Sequence, residues 1–302
     1  MIGKPLRHFI DLPDLGEPAL SAILKRAHVL KAARRPRQDL AGKTLALIFE
    51  KPSTRTRVSF EVAMNELGGH ALAITGKEMQ LGQGETLGDT ARVMGRFVHA
   101  LMVRTFEHEH LLELTRHSSV PVINGLTNYS HPCQIMADLM TVQERFGSLK
   151  GRHVVWCGDG DNNVLNIWIQ AAVIFDFPLV ICCPKELSPN PAMLPGGHAR
   201  VMVTHHPNQG LKDAEVVITD TWVSMHNADG ERRRALLQPY QINARRMGLA
   251  SKKAIFLHCL PAHRGEEVTD DVIDGPQSAV WDEAENRLHV QKAILLWCLG
   301  KV

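Results

Sequence analysis

The sequence predicts an α/β protein with two open parallel-sheet domains. The chain has 302 residues, more than one hydrophobic core usually holds, so two compact domains are expected, although length alone leaves a single barrel open. Short β-branched apolar segments alternate with longer segments of helical period along the chain, which is typical of parallel α/β architecture. A predicted helix at Pro132–Phe146 leads into the glycine-bounded break Gly147–Gly151. We therefore place the first domain at residues 1–147 and the second at residues 148–285.

The individual elements follow from the same alternation. The predicted strands of the first domain are Thr44–Phe49, His70–Ile74, Ala100–Arg104 and Val120–Asn124, and its other helices are Thr56–Leu67, Thr86–Phe97 and Glu107–Arg116. The predicted strands of the second domain are His153–Cys157, Leu179–Cys183, Val201–Val203, Val216–Thr219, Ala254–His258 and Ser278–Trp281. The last helix, Asn286–Leu299, has no strand after it, so residues 286–302 are expected to pack back on the first domain.

Composition and charge exclude several classes of protein. Hydrophobic residues make up 44% and charged residues 22% of the chain, so a sizeable core is expected and disorder is not. The formal net charge of +2 indicates neither nucleic acid nor a membrane surface as a partner. Met1–Asp11 has no signal-peptide or transit-peptide pattern, and no apolar run approaches the ~18 residues of a membrane span. The six cysteines include no Cys-x-x-Cys pair, which favours reduced thiols and a cytoplasmic location over disulfides or zinc.

Hydroxyl and guanidinium groups crowd the junction after the first predicted strand. Ser-Thr-Arg-Thr-Arg at 53–57 stands where a helix is predicted to begin. Free backbone N–H groups, the positive end of a helix dipole and arginine side chains together form a phosphate cradle. The alternative is a simple helix cap by Ser53 or Thr54, which needs one hydroxyl and leaves Arg55 unexplained.

Two further junctions of the same predicted sheet carry candidate residues. Arg104 ends the third strand, where an isolated surface charge is the alternative. His131 lies where the fourth strand passes to a helix opening at Pro132, a favoured first helical residue, and Gln134 lies one turn later. A lone histidine is more often a structural hydrogen-bonding group, but beside Gln134 it can polarise a carbonyl while the amide is recognised.

Three junctions of the second domain are also polar. Gly-Asp-Gly-Asp-Asn-Asn at 158–163 suggests a dinucleotide-binding dehydrogenase, but Asn163 replaces the third glycine of that fingerprint. Asp220 follows a strand, where it can receive an ammonium group or cap a local turn. Cys259 follows another strand, where a buried core thiol is the alternative to a chemical role.

These motifs together are far more specific than each one alone. Ser-Thr-Arg-Thr-Arg at 53–57, His-Pro-Cys-Gln at 131–134, Asp220 with Ser224-Met225, and His-Cys-Leu-Pro at 258–261 closely resemble the aspartate and ornithine carbamoyltransferase family. The resemblance covers about residues 5–300, and its His-Cys-Leu-Pro and Ser-Met sequences are similar to the ornithine branch. It implies transfer of the carbamoyl group of carbamoyl phosphate to the side-chain amine of L-ornithine, which yields L-citrulline and phosphate in arginine metabolism.

The resemblance assigns the first domain to carbamoyl phosphate. It implies contacts to the phosphate and carbamoyl groups from Ser53, Thr54, Arg55, Thr56, Arg104, His131 and Gln134, and further contacts from Gln80, Cys259, Leu260 and Arg287. For Arg287 a surface charge that caps a helix is the alternative. Arg104, His131 and Thr56 resemble the stabilisers of the tetrahedral oxyanion. No metal or organic cofactor is implied, because arginines activate the phosphate leaving group.

The resemblance assigns the second domain to ornithine. Asn163 and the Met225 N–H are implied to bind the α-carboxylate, and Asp220 with Ser224 the α-amine. Only a neutral amine is a nucleophile, so a proton must leave it, and Asp220 with Cys259 is the implied relay. The predicted catalytic residues are Arg104, His131, Asp220 and Cys259.

Subunit sharing and the identity of the acceptor depend on loops. Gln80 matches a family residue that reaches into a neighbouring subunit's site, so a homotrimer, or a multiple of trimers, is expected. His226-Asn227 stands where the ornithine branch has glycine after Ser-Met, and Ile167 stands where a small polar residue is common. Putrescine or an acylated ornithine therefore remains the enzymatic alternative. A non-catalytic amino-acid-binding or regulatory subunit is the alternative of another class, and the intact phosphate residues argue against it.

Overall fold

The chain divides into two compact units, each built on a parallel sheet. A computed structural model describes residues 5–33, 35–75, 84–194, 200–223 and 229–301. The first unit comprises Met1–Ala137 with Asn286–Val302, and the second comprises Asp138–Glu285. The predicted fold class, two parallel-sheet α/β domains, is confirmed, and the C-terminal residues belong to the first unit as expected.

The first unit contains a four-stranded parallel sheet in the order β2-β1-β3-β4. Its elements are α1 (Gly16–Ala33), β1 (Thr44–Phe49), α2 (Thr54–Glu66), β2 (His70–Thr75), α3 (Leu87–Phe97), β3 (Ala100–Arg104), α4 (His108–His117), β4 (Val122–Leu126) and the start of α5 (Pro132–Phe146). β1 and β3 are buried almost throughout, because helices cover both faces of a parallel sheet. Their carboxyl ends lie side by side, with Phe49 in register with Arg104.

The second unit contains a five-stranded parallel sheet in the order β7-β6-β5-β8-β9. Its elements are β5 (Val154–Cys157), α6 (Asn163–Ile174), β6 (Leu179–Cys182), β7 (Val201–Thr204), α7 (Pro207–Gly210), β8 (Val216–Ile218), α8 (Gly230–Leu237), α9 (Ala244–Met247), β9 (Ile255–Leu257), α10 (Asp270–Ile273) and the start of α11 (Val280–Cys298). Cys157 and Cys182 are partners in register on β5 and β6. The cysteines at 157, 182 and 183 are free and buried.

The bounds of several elements differ from the prediction, and two of these differences have a clear physical reason. The strand predicted at Ser278–Trp281 is wrong, since Ser278 forms a single parallel bridge to Phe256 and α11 already begins at Val280. Asp282 and Glu283 lie in the first turn of α11, where carboxylates favour a helix N-terminus. β4 begins at Val122 rather than Val120, directly after Pro121, which has no N–H to give to a ladder.

The helix α1 was not predicted from the sequence. Its buried side chains, Leu20, Ile23, Leu24, Ala27 and Leu30, follow the three- and four-residue spacing of one helix face. Among the described residues, no helix is long and apolar enough to cross a bilayer.

Candidate active site

The N-terminus of α2 has the backbone arrangement of an anion-binding site. β1 ends at Phe49 and α2 begins at Thr54, with Ser53 as an extended N-cap residue whose hydroxyl accepts a hydrogen bond from the Thr56 N–H at 3.3 Å. The cap thus exists, as the simpler interpretation required. The cap uses only one hydroxyl, and the other backbone N–H groups of the first turn of α2 still point toward the loop before the helix.

The two arginines of this turn differ. Arg57 is a surface residue, since its Nε donates to Glu61 at 2.9 Å one turn later on the same helix. Arg55 and Thr54 are exposed, and Arg55 makes no hydrogen bond or ion pair within the described part of the chain. Arg55 is therefore available to an anion in a way that Arg57 is not.

Lys51 is a buried cation that the sequence prediction did not assign. Only 3% of it is exposed, its Nζ donates to Asn128 Oδ1 at 2.6 Å, and the same atom lies 4.3 Å from the centre of the Phe106 ring. Burial, and then the charge of Arg104, lowers the pKa of Lys51 from 10.5 to about 8. Its position two residues after a buried strand was the one sequence signal that could have identified it.

Arg104 is held at the end of β3 beside this lysine. The Glu50 N–H donates to the Arg104 carbonyl at 2.9 Å, which ties the loop after β1 to the end of β3. The Glu50 carboxylate accepts from the Thr105 hydroxyl and from the Phe106 N–H. The register between β3 and β4 shifts at Val103/Arg104, so the ladder is irregular where Arg104 leaves it.

His131 is buried at the junction of β4 and α5. The preceding turn closes on itself, because the Thr127 N–H donates to the Ser130 carbonyl at 3.0 Å and Asn124 Nδ2 donates to Ser130 Oγ at 3.1 Å. Burial, followed by the charges of Arg287 and Arg104, lowers the pKa of His131 well below its usual range. The imidazole is therefore neutral at physiological pH, and its Nδ1 has no hydrogen-bond partner among the described residues.

Arg287 is buried inside the first unit, so the surface-charge alternative is wrong. Its Nη2 donates to Thr56 Oγ1 at 2.8 Å and its Nη1 donates to Gln134 Oε1 at 3.2 Å. The arginine thus links the first turn of α2 to the first turn of α5. Of the predicted carbamoyl-phosphate residues, the structure joins Thr56, Gln134 and Arg287 in one hydrogen-bonded cluster. The charge of Arg287 also contributes to the lowered pKa of His131.

Asp220 and Cys259 lie together in the second unit. Cys259 Sγ donates to Asp220 Oδ1 at 3.2 Å, and Asn162 Nδ2 donates to Asp220 Oδ2 at 3.0 Å. Burial, and then the charge of Asp220, raises the pKa of the Cys259 thiol well above its ordinary value. The thiol therefore stays protonated at neutral pH and acts as a hydrogen-bond donor, whereas the relay predicted from sequence needs a thiol that titrates.

The turn that carries Cys259 and Leu260 is held by one buried histidine. His258 Nδ1 accepts from the Leu260 N–H at 2.9 Å, its Nε2 lies 3.1 Å from Glu267 Oε1, and its backbone N–H donates to Glu283 Oε2 at 2.9 Å. The ring must therefore carry its proton on Nε2. Leu260 itself is half-buried with φ of 57°, so its carbonyl direction is set by this turn.

Two clusters among the described residues have the donor atoms of a metal site. The ligand atoms of Asp220, His258 and Cys259 lie within 4.8 Å of one another, as do those of His263, Glu266 and Glu267. Each ligand atom of the first cluster already has a protein partner, and Glu266 pairs with Arg234 Nε at 3.1 Å.

The glycines at 158–163 serve packing. A Cβ at Gly160 would lie within 3.0 Å of the Leu187 carbonyl, the Cys183 thiol and Pro189, so no ligand fits against this face of the glycine. Asn162 caps α6 through its Oδ1, and Asn163 is the first residue of that helix. The dinucleotide interpretation therefore has no geometric support. Gln80, Ser224 and Met225, and the departures at His226 and Asn227, lie outside the described residues, whereas Ile167 is a buried core residue of α6.

Comparison with known proteins agrees with this geometry. Residues 7–144 match the family model described as aspartate/ornithine carbamoyltransferase, carbamoyl-P binding domain, and residues 150–298 match the Asp/Orn binding domain of the same family. The ornithine carbamoyltransferase of Rhodopseudomonas palustris (strain ATCC BAA-98 / CGA009) is 57% identical over 303 residues, which cover 98% of this chain and 97% of the relative. That of Brucella suis biovar 1 (strain 1330) is 52% identical, covering 97% of this chain and 96% of the relative.

Solved structures give the same result. Ornithine carbamoyltransferase from Pyrococcus furiosus superposes with a TM-score of 0.94 at 44% identity and full coverage of both chains. A structure of N-acetyl-L-ornithine transcarbamylase gives a TM-score of 0.87 at 30% identity, covering 98% of this chain and 100% of that one. With both of its units matched by the family models and its whole length matched by these relatives, the chain belongs to the aspartate/ornithine carbamoyltransferase family.

Proposed function

We propose that this protein transfers the carbamoyl group of carbamoyl phosphate to the side-chain amine of L-ornithine and releases L-citrulline and phosphate. The observation that carries the proposal is the cationic cluster of the first unit, in which Arg287 joins Thr56 to Gln134 beside a neutral His131. A chain that only bound an amino acid would have no use for it. Relatives named ornithine carbamoyltransferase at 50–57% identity support ornithine as the acceptor over an acylated ornithine.

The first unit is proposed to bind and activate carbamoyl phosphate. Ser53, Thr54, Arg55, Thr56 and Arg104 hold the phosphate, and His131, Gln134 and Arg287 contact the carbamoyl group, with Gln80, Cys259 and Leu260 as further contacts. When the amine attacks the carbonyl carbon, negative charge develops on the carbonyl oxygen and then leaves with phosphate. Donors fixed before the reaction stabilise that charge, and removing one typically costs ~10²–10³ in rate.

The second unit is proposed to hold ornithine and take its proton. Asn163 and Met225 bind the α-carboxylate, and Asp220 with Ser224 binds the α-amine. Asp220 is also the proposed proton acceptor, because the Cys259 thiol is already protonated and donates to it. Cys259 thereby orients the carboxylate of Asp220 without being a base itself.

We infer that the active form is a homotrimer, or a multiple of trimers, in the cytoplasm. Val58 and Val62 on α2 and Leu72 on the edge strand β2 are 51%, 37% and 46% exposed, an apolar face that suits a second copy of the chain. A groove of about 350 Å³ lies beside it, lined by Glu61, Val62, Asn65, Gly69, His70 and Ala71. Gln80 follows β2 in sequence, as a residue shared across such an interface would.

One side-by-side assay tests the proposed acceptor. Purified protein is given carbamoyl phosphate with L-ornithine, putrescine or N-acetyl-L-ornithine, and the carbamoylated product and phosphate are both measured. Ornithine should give citrulline with one phosphate per turnover, at a kcat/KM far above the other two amines. Faster carbamoylation of putrescine or N-acetyl-L-ornithine would show that this amine, and not ornithine, is the substrate. Release of phosphate without a carbamoylated product would contradict the transferase proposal.

Mixed assemblies test the shared site. Gln80→Ala and Arg104→Ala proteins, each of which should be nearly inactive, are dissociated together and reassembled, with each variant treated alone as the control. Sites that combine two intact halves should regain activity in the mixture only. A mixture as inactive as its parents, although trimeric by light scattering, would contradict sharing of the site.

A further inference from the structure

Arg233 is a buried arginine outside the residues assigned above. It lies on α8 with 7% of its side chain exposed, and its guanidinium faces three carboxylates. Nη1 donates to Asp159 Oδ2, Nε donates to Asp229 Oδ1 at 3.2 Å, and Nη2 lies 3.5 Å from Asp161 Oδ2. Asp159 is only 6% exposed and Asp161 is 70% exposed, so the Asp159 pair is the one shielded from water.

Asp159 in turn fixes the loop between β5 and α6. Its Oδ1 accepts from the Asp161 N–H at 3.0 Å, and its carbonyl accepts from Trp156 Nε1 at 2.9 Å. Burial raises the pKa of Asp159 to about 7, and the charge of Arg233 is the strongest influence against that rise. Without Arg233 the carboxylate would lose its counter-charge, and the pKa of Asp159 would rise further, which favours the protonated form at neutral pH.

The same loop ends beside Asn163 and Asp220, which are proposed to bind ornithine. Asn162 Oδ1 accepts from the Val164 N–H at 2.7 Å and caps α6, while Asn162 Nδ2 donates to Asp220 Oδ2 at 3.0 Å. Both ends of the Asn162 amide are therefore in use. A shift of the loop must either uncap α6, where Asn163 is the first residue, or release Asp220.

We propose that Arg233 is a positioning residue for the amino-acid substrate, which acts through Asp159 and Asn162 to fix Asp220 and Asn163. The inference rests on the proposed function for the identity of that substrate. Arg233 touches no substrate in this role. It sets the geometry of groups that do, so its loss changes the affinity for ornithine far more than the affinity for carbamoyl phosphate.

The helix itself supplies matched controls. Arg232 is 64% exposed and contacts Asp229 at 3.4 Å, and Arg234 pairs with Glu266 on the surface. Both lie next to Arg233, carry the same charge and have no contact with the loop at 158–163 among the described residues. Arg232→Gln and Arg234→Gln therefore remove a charge from the same helix and leave the buried pair intact.

The test compares Arg233→Gln, Arg233→Lys and Asp159→Asn with these controls. For each protein, kcat, the KM for ornithine and the dissociation constant for carbamoyl phosphate are measured, with a thermal melt. Arg233→Gln should raise the KM for ornithine about 10- to 100-fold, the range expected when reacting groups shift by about 1 Å. The dissociation constant for carbamoyl phosphate should change less than about threefold, Arg233→Lys should recover part of the loss, and the controls should match wild type.

A double variant tests the route through Asn162. If Arg233 acts through that amide, Arg233→Gln and Asn162→Ala together should raise the KM for ornithine no further than the more severe single change. Fully additive effects would overturn the route. Equal losses in both substrates, or a normal KM for ornithine in folded Arg233→Gln, would overturn the positioning role.

Failure of the proposed function would appear differently. In that case the wild-type protein itself would form no citrulline from ornithine. The tethering of the loop by Arg233 can still be measured, because amide hydrogen exchange at 158–165 should be faster in Arg233→Gln than in Arg232→Gln whatever the acceptor is. Equal exchange in the two variants would overturn the tethering of the loop, and where Arg233→Gln fails to fold, Asp159→Asn carries the same comparison.

Discussion

Lys51→Met should remove a penalty on stability that depends on pH. The pKa of Lys51 falls from 10.5 to about 8 in the folded chain, because burial disfavours the ammonium form. At about 1.4 kcal/mol for each tenfold change in the ionisation constant, the charged lysine costs the folded state about 3 kcal/mol at neutral pH. The hydrogen bond to Asn128 and the Phe106 ring offset part of this cost.

The direction with pH follows from proton counts. Below about pH 8 the lysine is charged in both states and the penalty is fully present. Between pH 8 and 10.5 the unfolded chain holds the proton and the folded chain does not, so the free energy of unfolding rises with pH. Relative to the methionine variant, wild type should gain roughly 2–3 kcal/mol between pH 7 and pH 10.

Urea unfolding of both proteins at four or five pH values gives this difference directly, because groups that titrate alike in the two proteins cancel. A difference that stays flat from pH 7 to pH 10 would refute the buried-cation assignment. The same titration should weaken carbamoyl-phosphate binding by wild type above pH 8, as the positive charge beside Arg104 is lost, and should leave the already weaker binding by Lys51→Met unchanged.

Three further changes test the two units separately. Arg55→Ala should abolish carbamoyl-phosphate binding without lowering the melting temperature, since Arg55 is exposed, whereas Arg57→Ala should bind normally; calorimetric titration of both variants decides, and equal affinities would contradict the phosphate cradle. Arg287→Met should weaken the binding of carbamoyl phosphate in the same titration by at least about tenfold, while ornithine should still stabilise the protein. A larger loss for ornithine than for carbamoyl phosphate would contradict the place of Arg287 in the carbamoyl-phosphate site. Cys259→Ser should lower kcat but keep the pH profile of wild type from mildly acidic to alkaline pH, because the thiol does not titrate there; loss of one limb of the profile in the mutant would restore a thiolate relay.

The sequence predicted the sheets well where burial is complete. The bounds of β1 and β3 agree with the prediction because both are short apolar runs with polar residues at each end. The strand predicted around Ser278 failed for a physical reason, since a short apolar run looks the same at a helix start as in a strand. The acidic residues after Trp281 were the signal for the helix.

The candidate site was predicted less evenly. Motif residues such as Thr56, Asp220 and Cys259 could be proposed from the sequence because strand ends place them at the ligand edge of a sheet. Lys51 and Arg233 were missed because a charged residue in sequence is normally a surface residue, and burial of its neighbours arises only in three dimensions. Arg233 stands in a run of three arginines, which by itself indicates a solvated helix face.

The two units create opposite electrostatic surroundings, and each suits the group it contains. In the first unit burial, followed by the charges of Arg287 and Arg104, keeps His131 neutral, so the ring can donate a hydrogen bond to a developing oxyanion without itself becoming a buried charge. In the second unit burial, and then the carboxylates around Cys259, keep its thiol protonated, and its hydrogen bond to Asp220 leaves that carboxylate as the group able to accept a proton. A cation introduced beside Cys259, as in Asn162→Lys, should therefore lower the pKa of the thiol and increase its rate of alkylation by iodoacetamide near neutral pH. An unchanged alkylation rate in a folded variant would show that burial alone, and not the acidic surroundings, determines the protonation of this thiol.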